Sequence, residues 1–333
     1  RDDDDCRESG FCELGCPNNG KQNAAKVLVP GGLDAGGRVV TGARVEHIHY
    51  DGTRVTHVTG TAVDPVSRHE RGEFRIGCER IVLSASATGS ASLHISSGLP
   101  DPHRLVGTNL HLHPAAVVMG VFDGPEDTPI RGWLGNPQSV ECTQFLEYAP
   151  DADDRAWIVT GFAHPAGAST FVPGFGASHT STMRKFPQMA SLIVMLHDHT
   201  EGRVSPGRGE SVHIDYGLWD EDYRALARGL RAASEILLAA GAGEVIIPTV
   251  PQIRASSIRE ISNTLSADQL GPLDPPLAAV HPMSTMWMGR DPSTSVVDAD
   301  GAHHHLDNLW VADSSLFPTS IGGPPQIPIY TLS

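Results

Sequence analysis

Residues 281–333 read HPMSTMWMGRDPSTSVVDADGAHHHLDNLWVADSSLFPTSIGGPPQIPIYTLS, and the order of the parts is specific. A histidine, His281, stands ahead of a small-residue turn at Ser284 and Thr285 and a Met288-Gly289 pair. Val296-Val297-Asp298 follows, then the apolar run from Asn308 to Asp313, which reads as a strand. The run leads through Ser315, Phe317 and Pro318 to Gly322-Gly323-Pro324-Pro325, a pair of residue types that punctuates regular structure.

Upstream, Arg38–Ile48 alternates apolar and polar residues, and Thr53–Val63 does the same beyond an Asp51-Gly52 hairpin signal. The short apolar run Glu79–Ser84 suits a buried parallel strand. It ends in small residues, Ser84 to Gly89, that let a helix begin hard against a ligand. The helix continues over Ser90–Ser97 and stops at Gly98. Val117–Phe122, Ala156–Phe162 and Ser191–His199 read as strands of an antiparallel sheet, with Arg203 to Ser205 as its edge. Tyr223, Leu226, Leu230, Ala233 and Leu237 recur at helical spacing, predicting an amphipathic helix over Asp220–Leu238 with Asp220 as N-cap and Gly241 as stop.

The closing segment resembles the C-terminal signature of the glucose–methanol–choline (GMC) oxidoreductases, flavoproteins that oxidise alcohols. Three further stretches are similar to that family. Residues 81–98 match its VVLAAGAIGSPQLLLLSG, with Ala85-Ser86 at the usual Ala-Gly pair. Val106 to Pro114 resembles GxNLxDHP, with Leu112 in place of the Asp. Cys12-Glu-Leu-Gly-Cys16-Pro17, then Gly20-Lys21, resembles the branch of long-chain alcohol oxidases. The resemblance implies an α/β (α+β) fold: a Rossmann-like FAD-binding domain plus a substrate domain whose antiparallel sheet is covered by helices. It divides the chain into residues 1–110 (part of the flavin domain), 111–270 (substrate domain) and 271–333 (return to the flavin domain).

Alcohol oxidation removes the hydroxyl proton and the carbinol hydride; FAD takes the hydride and the protein supplies a base. Histidine suits that base because it titrates near neutrality. By the resemblance, His281 is the catalytic histidine; taken alone it would read as a turn histidine. The family's second catalytic position, a His or Asn before a Pro, is occupied by Pro324, which offers no side-chain donor or acceptor. Either His281 works alone, or another group fills the role, or the reaction has changed. Ser284 replaces a usual Gly, and Trp287 replaces a usual Arg or Ser. Trp287 and Pro324 are the expected substrate-pocket residues. For the cofactor the resemblance assigns Val45 to the adenine, Ser86 to the flavin side of the strand–helix turn, and Asp313 to the pyrophosphate and ribityl chain. Pro325, Gln326 and Ile327 open a helix whose N-terminus faces the isoalloxazine, where a partial positive charge favours reduced flavin. For Asp313, simple capping of the next turn is the alternative.

The expected partner is a small alcohol, apolar by the cysteine motif and Leu192–Val204. A flavin-site elimination or cyclisation, favoured by Pro324, and a non-catalytic subunit are the other readings. No GxGxxG follows an apolar strand in this chain, so the phosphate-binding opening of the family is expected from elsewhere: a fragment, a second chain, or residues outside this sequence. On its own the chain is expected to bind flavin weakly or not at all. The start, Arg1 followed by four Asp, carries no signal-peptide pattern, which favours a cytoplasmic location.

The 333 residues suffice for two domains, and a net charge of −15 disfavours nucleic acid and anionic membrane. No apolar run reaches the roughly 20 residues a spanning helix needs. The 17 histidines are scattered, and His303-His304-His305 point different ways in extended chain, so no metal is expected. Of the five cysteines, Cys6, Cys12 and Cys16 crowd one loop; zinc or iron–sulfur ligation lacks a fourth nearby ligand, which leaves reduced or half-paired thiols.

Overall fold

A computed structural model describes residues 5–124, 129–209 and 211–333; the acidic run at residues 1–4 lies outside them. The chain divides into two compact units, each built from three stretches.

One unit comprises Arg1–Arg38, Pro114–His197 and Trp219–Ala278. Its centre is a six-stranded antiparallel sheet in the order Ile253–Ala255, Ala242–Ile247, Ala115–Phe122, Met189–Leu196, Ala156–Gly161, Glu141–Cys142. The helix Asp220–Ala239 packs across it, burying Leu226, Leu230, Ala233 and Leu237, the spacing expected of an apolar stripe. The helix lies so close that a Cβ on Gly229 would stand 2.5 Å from Val194 Cγ1 and 2.7 Å from Ala156 Cβ. Asp220 is not the N-cap. That position is Trp219, and Asp220, Glu221 and Asp222 fill the first turn, where carboxylates oppose the positive helix end. At the stop, Gly241 takes φ +100°.

The other unit comprises Val39–His113, Asp198–Leu218 and Ala279–Ser333. Strands Ala43–Asp51 and Arg54–Val63 form the expected hairpin with Gly52 at φ +56°, and a third strand, Glu70–Gly77, extends it. Ile81–Leu83 pairs in parallel with Leu309–Val311, as the buried apolar runs suggested. Asn308 ties this pair to the hairpin: its side chain accepts from Val55 N–H (2.7 Å) and donates to Val55 O (2.9 Å) and Glu79 O (2.8 Å). Leu83, Ala91, Met286, Val297, Leu309 and Leu316 belong to one buried apolar cluster.

Two placements differ from the sequence reading. Arg203–Pro206 is not an edge of the six-stranded sheet; it pairs with Val212–Asp215 in the unit that holds the parallel pair. Residues 1–38 group with the six-stranded unit, where Gly135 N–H donates to Glu8 O. Local pattern specifies a strand but not its partner, and both differences are matters of partner.

His94 and His303 meet inside the second unit, Nε2 to Nε2 at 3.0 Å, with 1% and 5% exposure. Burial pushes His94 down to about 4 and His303 down to about 3. The unfolded chain therefore binds protons more readily than the folded one. Stability is complete above the ordinary histidine value and drains as pH falls from about 6.5 toward 4, by about 1.4 kcal/mol per pH unit per histidine. Denaturant midpoints measured across that range should fall steeply in the native chain and less so in His94→Leu/His303→Leu.

Candidate active site

His281 is held by a backbone clamp. Met283 exchanges hydrogen bonds with His111, 2.9 Å from Met283 N–H and 3.3 Å from His111 N–H. Beyond it, Ser284, Met286 and Met288 N–H groups donate to Ser314, Ser315 and Leu316 carbonyls at 3.1, 3.0 and 2.9 Å. Thr285 is fully buried and its hydroxyl donates to Ala87 O at 2.5 Å. The small residues of this turn are thus wedged between the 109–113 segment, the start of the helix Ser86–Ser96, and the turn after the last strand.

The clamp brings His281 Nδ1 to 3.0 Å from His113 Nδ1. His113 is 1% exposed, and His281 is half-buried, which pushes its imidazole below the ordinary histidine range. Beside the pair lies Asp198, at 0% exposure, whose carboxylate accepts from Leu112 N–H (2.9 Å), His113 N–H (3.2 Å) and Tyr216 Oη (2.6 Å). Burial alone would raise its pKa. The His111 ring, at 3.7 Å too far for a hydrogen bond but close in charge terms, joins these donors to hold the carboxyl well below the usual range. A fixed negative charge therefore backs the histidine pair. The sequence reading missed His113, His111 and Asp198. Their signals were the His-x-His of residues 111–113 and an aspartate just beyond the strand Met189–Leu196, and neither declares a partner from 85 residues away.

The nine residues expected from sequence, His281, Trp287, Pro324, Val45, Ser86, Asp313, Pro325, Gln326 and Ile327, all fall within this one unit. Trp287 is half-buried with its indole N–H donating to Thr294 O at 2.8 Å. Val45 is exposed on its strand, next to a bulge between Val45 and His47. Asp313 caps the following turn, accepting from Ser315 N–H (2.8 Å) and Oγ (2.5 Å), while its other oxygen accepts from Ser90 Oγ (2.5 Å). Ser90 Oγ in turn accepts from Ala85 N–H at 2.9 Å, so Asp313 braces the strand–helix turn. Pro325 is the buried N-cap of the helix Gln326–Leu332; Pro324, Gln326 and Ile327 are exposed. Among the described residues, no cluster of three His, Cys, Asp or Glu side chains is arranged to hold a metal.

Ser86 and Ser284, the two serines at positions of usual glycines, have φ +69° and +74°. A side chain there meets its own carbonyl, at a cost of about 1–2 kcal/mol, which glycine avoids. Ser284 Oγ is also buried with no hydrogen-bond partner among the described residues. Ser284→Gly should raise the thermal midpoint, a gain of about 1 kcal/mol after the greater unfolded-state entropy of glycine. Ser284→Ala, which keeps the strained φ, should gain less.

The C-terminal and N-terminal GMC oxidoreductase family models match residues 198–333 and 1–115. The chain belongs to the GMC oxidoreductase family. It is 32% identical to an uncharacterized GMC-type oxidoreductase of Mycobacterium tuberculosis, over 98% of this chain and 49% of that one. It is 26% identical to a long-chain-alcohol oxidase of Arabidopsis thaliana, over 97% of this chain and 45% of that one. The chain thus spans about half the length of the curated relatives it matches. Among solved structures, pyridoxine 4-oxidase from Mesorbium loti superposes with a TM-score of 0.63 at 21% identity, covering 89% of this chain and 56% of that one. An FAD-dependent oxidoreductase from Chaetomium thermophilum gives 0.59 at 14%, covering 92% and 62%.

FAD is named for the Chaetomium thermophilum neighbour, and the residues at the strand–helix turn fit such a group. The helix Ser86–Ser96 begins with exposed small residues, no side-chain cap and no acidic residue in its first turn. Its first N–H groups are open to an electron-rich group. No helix among the described residues is long and apolar enough to cross a membrane.

Proposed function

We propose that this GMC protein is an FAD-dependent oxidoreductase acting on the CH–OH group of an apolar alcohol, with His281 as the base. The contact of 3.0 Å between His281 Nδ1 and His113 Nδ1 supports the reading. One of two facing nitrogens must donate. With the proton on His281 Nδ1, its Nε2 carries a lone pair, and burial keeps the ring neutral and ready to accept the alcohol proton. A bound flavin supplies the hydride acceptor. Asp198, placed behind His113 through that residue's backbone N–H, favours positive charge on the pair once the proton has moved. The other group that the reaction needs, absent from Pro324, is then His113, acting through His281. That assignment follows the second of the three openings left by the sequence.

Similarity to long-chain-alcohol oxidases supports an apolar alcohol as substrate. In the same reading the unit holding His281 is the flavin side and the six-stranded unit the substrate side. Anaerobic addition of a series of primary alcohols to the flavin-loaded protein tests the reaction. Loss of the yellow oxidised-flavin absorbance with longer alcohols is the expected result; a flavin that no alcohol bleaches would overturn it. Exposed, donor-free Pro324 favours a second reading, a flavin-site elimination or cyclisation with His281 as a lone acid or base. Product formation without flavin reduction would select it.

A further inference from the structure

In the six-stranded unit, Cys6, Cys12 and Cys16 line one recess of about 120 Å³ together with Arg7, Asn18 and Lys21. The loop around them is tightly wound. Leu14 and Gly15 N–H both donate to Phe11 O, at 3.2 and 2.9 Å, and Asn19 takes φ +57°. Gly20 is buried against Cys6, where a Cβ would stand 3.1 Å from the Cys6 nitrogen. The backbone N–H groups of Lys21 and Asn18, and less strongly those of Gly20 and Asn19, face the Cys16 sulfur and lower its pKa against the opposing effect of burial; Asn18, Gly20 and Lys21 line the same recess. Successive amides around one atom form an anion nest, and the anion of a cysteine is its reactive form. Lys21 adds a cation at the rim, its Nζ anchored on Cys12 O at 2.6 Å. All five cysteines are half-buried and none is in a disulfide, so accessibility does not separate them; burial pushes the Cys78 thiol up.

We propose that Cys16 is a thiol-modification site for small hydroperoxides, with Cys12 as the resolving thiol. The Cys16 thiolate attacks the terminal peroxide oxygen: an S–O bond forms, the O–O bond breaks, sulfur loses two electrons, and the leaving hydroxide or alkoxide takes a proton from solvent. The Cys12 thiol then attacks the sulfenic sulfur, forming the disulfide and releasing water. Cys12 is the partner because it lines the same recess as Cys16, whereas Cys6 Sγ is engaged with Asn136 Oδ1 at 3.9 Å. The chemistry is separate from the His281 site and stands or falls without it.

The test treats the full reduced chain with stoichiometric hydrogen peroxide, with and without dimedone, and maps peptides by mass. Dimedone should label Cys16 about tenfold faster than Cys78 at neutral pH. Without dimedone a Cys12–Cys16 link should appear, and in Cys12→Ser the sulfenic adduct should persist. Equal labelling of Cys16 and Cys78, or a Cys6–Cys16 link, would overturn the proposal. The pH dependence of Cys16 alkylation in the unaltered chain gives an independent reading: its midpoint should lie below that of Cys78, and coincidence of the two would sink the idea.

Discussion

Replacing His281 by asparagine is expected to slow alcohol-dependent flavin reduction by about 10²–10⁴-fold, the usual worth of a positioned general base. Asparagine keeps a polar side chain near His113 but cannot take a proton at neutral pH. Flavin content, read from absorbance, should equal that of the native protein loaded with flavin in the same way. The pH profile carries a second mark. The base works when neutral, and burial holds His281 below the ordinary histidine value. The native rate should therefore stay level down through about pH 6.5 and fall only below it. His113→Phe should move that fall, because the neighbour that orients His281 Nδ1 and shares its proton is gone. A variant at residue 281 that loses less than about tenfold would remove the histidine from the base role.

Arg155→Ala should destabilise the six-stranded unit by about 3–5 kcal/mol. Arg155 is 2% exposed and Asp222 0%, with Nη1 to Oδ1 at 2.6 Å. The guanidinium also donates to His197 O (2.9 Å), Glu221 O (3.0 Å) and Ala152 O (3.2 Å), fastening the helix Asp220–Ala239 to the end of the strand Met189–Leu196. Truncation removes the cation that neutralises the buried Asp222 carboxylate and the donor to three carbonyls. The double variant Arg155→Met/Asp222→Leu, which removes both charges, should recover most of the loss, since an apolar pair of similar volume needs no desolvation of ions. Urea unfolding of the single and double variants separates the two outcomes. A single variant with an unshifted midpoint would mean that water reaches Asp222.

Local elements were readable because each follows a short-range rule. The Asp51-Gly52 turn, the helix over 220–239 and the parallel run ending at Leu83 depend on residues two to four apart, which the chain itself brings together. The same holds for the special backbone: serines at 86 and 284 sit where glycines were expected, and both adopt the left-handed conformation that explains the expectation. The strand Glu70–Gly77 was not legible because six of its eight residues are charged or glycine, so no apolar period appears.

By itself the sequence determined the family and most of the strands and helices, and it singled out His281 as the expected base, because motif spacing and side-chain period are properties of the chain alone. Only the tertiary structure decided which residues meet. It set His113 against His281 across 168 positions and seated Asp198 under the 112–113 amides. It also placed Arg203–Pro206 in the unit of the parallel pair. Such pairings are chosen by the burial of polar groups that must find partners, and that requirement acts on the folded chain as a whole, where sequence separation leaves no trace.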